Sequence, residues 1–383
     1  MEVQLVISII AGILAKLWLP LLVFAAIVAV SVRFRDRLGI FGRLWSHGFG
    51  TLGLSIILIW SLIAIFAEQV APFDPLQQFV LMKNQPPGAV EAQSGEMFLL
   101  GADRLARDVF SRIVHGSQFV LSIAPVASAL ALLTGLLLGL PAGYFGGKVD
   151  TVLSFAANLI LAFPVILVFY LLVSPGVSSS GLPQMLGALV LICPIAFTLL
   201  LIFSRYTHQR LKPILLTAIT LAVGGWLFAA VIFDADPLGV LFVPDAVLNI
   251  LVAVVLIACP GIFRVTRSLT LDVLSRDFIA AAKTRGETSW YIMLFEILPN
   301  IRGPLVVDFC LRIGFTTILL GTLGFFGLGL APDSPDWGTS IKDGSAILRL
   351  FAWPALFPAL ALMSLVLGLN LLADAIRELF HED

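Results

Sequence analysis

Asp308 and Arg312 stand one helical turn apart inside an apolar run, and Lys16 stands alone inside another. Ionisable groups at such positions could relay protons or hold a charged solute, because a charge at mid-bilayer costs about 2.5–3.5 kcal/mol. An i, i+4 acid–base pair can also neutralise itself, and a single lysine can snorkel or pair with a partner, so a structural role stands beside the chemical one. The three cysteines, Cys193, Cys259 and Cys310, fall in apolar runs without zinc or redox spacing and read as small buried hydrophobes. No metal site is expected. The only phosphate-loop-like string is GYFGGKVD, but Ala142 and Val149 occupy positions where G-x-x-x-x-G-K-[ST] needs Gly and Ser or Thr. The chain is therefore expected to hydrolyse no nucleotide.

These residues need elements to carry them, and composition decides which. The 383 residues are 59% hydrophobic and 12% charged, against about 25% charged in soluble domains. Mean hydropathy is +1.04. The class is an all-α polytopic membrane protein, with apolar runs near residues 4–31, 50–68, 119–141, 151–173, 185–203, 214–233, 246–263, 304–322 and 354–373. That gives about nine transmembrane helices. The first run lacks a basic n-region and exceeds the apolar core of a cleaved leader, so it reads as a retained span. A net charge of −1 gives no reason to expect nucleic acid.

Lys and Arg accumulate on the cytoplasmic side. With residues 33–49 inside and the spans alternating, fifteen basic residues fall inside, Arg210 among them, and six outside. The amino terminus is then expected outside and the carboxyl terminus inside. The inside loop at 264–303 holds six basic and four acidic residues. In it Leu271, Leu274, Phe278 and Ala281 make an apolar stripe at helical spacing, which restarts after Gly286 with Trp290, Leu294 and Ile297. Gly286 is expected to turn the chain and Pro299 to end the second piece, while Ala280, Ala281 and Ala282 leave room for another surface. Taken alone, such an amphipathic pair could equally lie on the bilayer or on its own bundle.

AAAKTRGETSWYIMLFEILP (280–299) resembles the EAA loop of permease subunits in ATP-binding-cassette importers, and the ILPN end (297–300) is similar to the C-type permeases of dipeptide, oligopeptide and nickel importers. Ala281, Ala282, Gly286, Leu298 and Pro299 match; Ala280 stands where the family has Glu. GADRLARDVFSRIVHGSQ (101–118) resembles the family's GTD-x-x-GRD-x-x-SR segment, with Ala102 and Ala106 replacing Thr and Gly. GFFGLGLAPDSPDWGTSIKDG (324–344) resembles its FLGLG…P-x-WG…DG segment, and AGYFGGKVD (142–150) its short inner loop. The resemblance implies a six-helix type I importer core, here with an extra N-terminal helix (1–49) and an inserted hairpin (about 175–245). The first core helix and periplasmic loop would fill 50–118 and the rest of the permease core 119–383. It implies ATPase coupling through Ala280–Ala282, Gly286, Trp290, Leu298 and Pro299. It also implies a second permease, two ATP-binding subunits or a fused ATPase, and an extracytoplasmic solute-binding protein as partners, with ATP and Mg held by those ATPases and none here. Peptides or peptide-like solutes would be the cargo, and a bacterial cytoplasmic (inner) membrane the location.

Gly135, Gly139, Gly143 and Gly147 recur every fourth residue, a ridge for close helix packing. Arg104, Arg107, Asp108 and Arg112 in the outer loop would either meet the binding protein or brace the loop. Asn158 and Asn370 read as interhelical hydrogen bonders, and the extra helices as peripheral support facing membrane lipid. Two rival readings remain: an ion-coupled secondary transporter using Asp308, Arg312 and Lys16, and a membrane scaffold whose inner loop recruits a cytoplasmic protein.

Overall fold

The computed structural model describes residues 2–92, 94–206, 211–240, 243–328 and 333–382. The hairpin turn with Arg210, and residues 329–332 of the third family-like segment, lie outside the described residues. The helices of eight or more residues are α1 (Glu2–Lys16), α2 (Trp18–Arg33), α3 (Gly48–Ile65), α4 (Val109–Phe145), α5 (Gly147–Ala162), α6 (Val165–Val173), α7 (Leu182–Arg205), α8 (Leu211–Ile232), α9 (Asp245–Leu274), α10 (Asp277–Thr284), α11 (Ser289–Phe326), α12 (Trp337–Ser345) and α13 (Trp353–Glu382). Among the described residues seven helices are long and apolar enough to cross a membrane. Two bent pairs, α1 with α2 at 64° and α5 with α6 at 85°, raise this to nine if each pair is one span.

The chain divides into two compact units, residues 1–125 with 310–383, and residues 126–309. In the first, α3 packs on α13 through glycine: a Cβ on Gly53 would lie 2.7 Å from the Gly368 carbonyl oxygen. The Trp60 indole donates to Ser364 Oγ at 2.9 Å. A two-stranded ribbon, β1 (Ala89–Val90) and β2 (Met97–Phe98), crosses the outer loop.

The single helix expected over 4–31 is two. Helix α1 lies against the outer loop, where a Cβ on Gly12 would come 2.5 Å from Leu99 and one on Gly88 would come 2.7 Å from Leu5. Lys16 therefore stands at the bend rather than mid-span, its Nζ 3.3 Å from Glu96 Oε2. The break at 163–164 has a local cause: the Pro164 ring pushes Phe163 out of helical geometry, to ψ 137°.

The second unit is organised by α4 and α9. A Cβ on Gly135, Gly139 or Gly143 would come within 2.5, 2.7 and 2.7 Å of Ile262, Thr266 and Thr270, so two four-residue rows interlock backbone to side chain. Gly147 does not continue this row; it opens α5 at φ +53° with open space around it. Arg267 forms a bidentate pair with Asp150, and Arg264 donates to Asn158 Oδ1 at 2.6 Å, which ties α5 to α9.

Candidate functional site

The elbow after α9 is built by a turn, a cap and a shift of helical register. Helix α9 ends at Leu274, so the stripe expected from Leu271 to Ala281 is cut at Ser275 and the buried face of α10 is Ile279 and Ala282 instead. Ala280, Ala281 and Gly286 are exposed, and Trp290 and Leu298 are half-buried. Gly286 adopts φ +79°. Its N–H donates to the Lys283 carbonyl at 3.0 Å and that of Glu287 to the Ala282 carbonyl at 3.3 Å, the paired closing bonds of a Schellman motif. Thr288 then caps α11, its hydroxyl accepting from the Tyr291 N–H at 3.3 Å.

Pro299 does not end the second piece, as the sequence suggested; the helix continues to Phe326. Residues Ile292–Ile297 form a π-helical stretch just before it. Proline offers no N–H to the turn before it, and on the adjacent rung the Asn300 side chain donates to the Glu296 carbonyl at 2.6 Å. Ile292, Met293, Leu294 and Ile297 are buried with Ile279, Leu136, Leu140 and Ile301. Arg285 bridges the turn, its Nη2 2.6 Å from Glu296 Oε1, and Lys283 lies 5.5 Å over the Tyr144 ring. The arms are thus locked to each other and to α4, leaving a small, weakly side-chained outer face. The Arg285 clamp and the π turn carry no sequence signature; the Thr288 cap does, as Thr before an apolar run.

In the other unit, segments 101–118 and 333–344 meet. Arg107 is 1% exposed and donates to Asp103 Oδ2 at 2.7 Å and Asp343 Oδ2 at 2.9 Å. Arg104 reaches Asp343 Oδ1 at 2.8 Å. Arg112, also buried, bonds Ser340 Oγ and the Ser334 carbonyl. Trp337 is fully buried, its indole donating to the Ile113 carbonyl at 2.9 Å above Gly116. Asp108 is fully buried, with Oδ2 accepting from the Ser111 N–H and hydroxyl; burial pushes its carboxyl up to about 6. Of the four outer-loop residues singled out by sequence, Arg104 alone offers substantial surface. Asp308 and Arg312 are half-buried on α11. Among the described residues no cluster of three or more His, Cys, Asp or Glu could hold a metal ion.

Residues 135–382 match the family model described as binding-protein-dependent transport system inner membrane component. The chain belongs to that family. A second model, the N-terminal TM domain of oligopeptide transport permease C, matches residues 39–87 of this permease. It is similar to the dipeptide transport system permease protein of Haemophilus influenzae, 27% identical over 85% of this chain and 88% of that one. Likeness to the di/tripeptide transport system permease protein of Pseudomonas aeruginosa is 26% over 91% and 93%. For the glutathione transport system permease protein of Pectobacterium atrosepticum it is 26% over 85% and 84%. The permease is thus a multi-pass transmembrane component of the ABC transporter type.

Proposed function

We propose that the permease imports peptides or peptide-like solutes with ATP hydrolysed by partner chains. It pairs with a second permease to enclose the pathway, since half a pore would present unsatisfied polar surface to lipid. An extracytoplasmic solute-binding protein delivers the cargo, a reading supported by the printed functions of the dipeptide, di/tripeptide and glutathione relatives. The carboxyl terminus and the elbow face the cytoplasm and the amino terminus lies outside, by the asymmetry of Lys and Arg.

The observation that carries this reading is the clamped elbow. Ala280, Ala281 and Gly286 form an exposed face with little side-chain bulk, while Ile279, Ala282 and Met293 anchor it in the bundle. A nucleotide-driven subunit docked there would move α9 and the start of α11 together, and its differential affinity for two arrangements would shift their populations. The absent Glu at Ala280 removes one ion-pair option; Arg285, already clamped to Glu296, and Glu287 are the charges that flank the turn.

Gly286→Val tests this. A β-branched residue at φ +79° is strained and enlarges the docking face. Uptake and stimulation of the partner ATPases are expected to fall together while the chain still inserts. Uptake that survives removal of the ATPases would instead favour ion coupling.

A further inference from the structure

Two hollows follow one another along the inserted hairpin. The first, about 620 Å³, lies between α7, α8, α4 and α9, and is open to the side. Its lining among the described residues has two polar side chains, Thr198 and Thr220, and each hydroxyl donates to its own helix, to Pro194 O at 2.8 Å and Leu216 O at 2.9 Å. No side-chain donor there is left to bind a polar solute. The volume falls within the roughly 300–1,000 Å³ of ligand sites. At this depth the molecules that reach a side-open apolar hollow are hydrocarbon chains.

The second hollow, about 670 Å³, is at the turn end of the hairpin, between Phe203, Tyr206, Pro213, Ile214 and Thr217. The Thr217 hydroxyl is buried with no hydrogen-bond partner. Arg205 and Lys212 stand at this end, both exposed, the guanidinium 6.0 Å over the Tyr206 ring. Neither has a carboxylate partner among the described residues. From Lys212, at the headgroup end, to Val223 in the trough the helix rises about 16 Å, close to the depth of one leaflet of a ~30 Å hydrocarbon core. Polar groups at one end and an apolar trough below them match an anionic amphiphile that spans one leaflet.

We infer that the inserted hairpin holds one anionic phospholipid, its phosphate at Arg205, Lys212 and the Thr217 hydroxyl and an acyl chain in the Thr198–Val223 trough. The hairpin then serves as a lipid-binding element whose occupancy stiffens α7 and α8 against α9. The basic side chains provide headgroup choice, and the trough provides retention.

The full-length chain would be placed in nanodiscs of equal phosphatidylcholine and phosphatidylglycerol, stripped by graded detergent, and its retained lipids counted by native mass spectrometry. One phosphatidylglycerol per chain is expected to outlast the annular lipid. Val223→Trp and Leu227→Trp fill the trough from exposed positions and should abolish retention. Arg205→Gln with Lys212→Gln, also on the surface, should lower the preference for phosphatidylglycerol by roughly 30-fold, the size expected of two basic groups near an anionic headgroup. Absence of a retained lipid, equal retention of the two lipids, unchanged retention in the filled variants, or an unchanged preference in the double variant would each overturn the inference.

Discussion

Replacing Arg107 by Met separates a brace from a contact surface. Its guanidinium holds Asp103 at 2.7 Å and Asp343 at 2.9 Å, and those carboxylates are 6% and 11% exposed. Removing the shared cation leaves both charges buried, though neither is wholly abandoned: Asp343 keeps Arg104, and Asp103 keeps the Leu105 and residue-107 N–H groups. Breaking a buried pair from one side costs about 3–5 kcal/mol. For a large domain that corresponds to a fall in melting temperature of roughly 5–15 °C. The assay is scanning fluorimetry of the detergent-purified chain, with Asp103→Asn added to the Arg107→Met variant. Because Asp103 and Arg107 touch, the double variant should recover on the order of 0.5–3 kcal/mol. A brace predicts the large fall and the partial recovery. A melting temperature within about 1 °C of wild type, a shift well below what a lost buried pair costs, together with weakened capture of the solute-binding protein, would refute it.

Gly139→Leu should lower stability by about 1–3 kcal/mol or more, since its Cβ alone would come 2.7 Å from that of Thr266; a melting curve checks this. Ala106 sits at φ +61°, where an L-residue pays roughly 1–2 kcal/mol, so Ala106→Gly should raise the melting temperature despite the extra freedom of the unfolded glycine, a net gain of about 0.5–1 kcal/mol. The Asp108 carboxyl titrates near 6 when folded against 3.8 as its ordinary value, so the folded chain binds this proton more tightly. Stability should therefore fall as pH rises from about 4 to about 6 and stay lowered above that, by up to about 3 kcal/mol. Asp108→Asn keeps an acceptor for Ser111 and should flatten that part of the melting profile.

Much of the bundle was legible because hydropathy and four-residue glycine spacing are local signals. The row of Gly135, Gly139 and Gly143 announced a close helix neighbour, and Gly286 a left-handed turn. The break in the first apolar run had a local signal in Pro20, whose ring crowds the Lys16 carbonyl one turn back, but the direction of the bend was not legible: it follows the fit of Gly12 to Leu99 and of Lys16 to Glu96, more than 75 residues away. The outer loop's four basic and five acidic residues said nothing of pairing, since the acceptor Asp343 comes from a segment over 200 residues later. Pro299 misled for a third reason. Proline's missing donor ends an ordinary helix, but here a π-helical stretch shifts the register just before it and the helix runs on.

The most direct test places a photo-crosslinking amino acid at Ala281, on the exposed face of the elbow, in cells expressing the complete transporter. Irradiation should join the permease to a nucleotide-binding ATPase chain, with the yield changing when ATP is trapped. A crosslink to an extracytoplasmic protein, or none to the ATPase in cells that import solute, would contradict the coupling role.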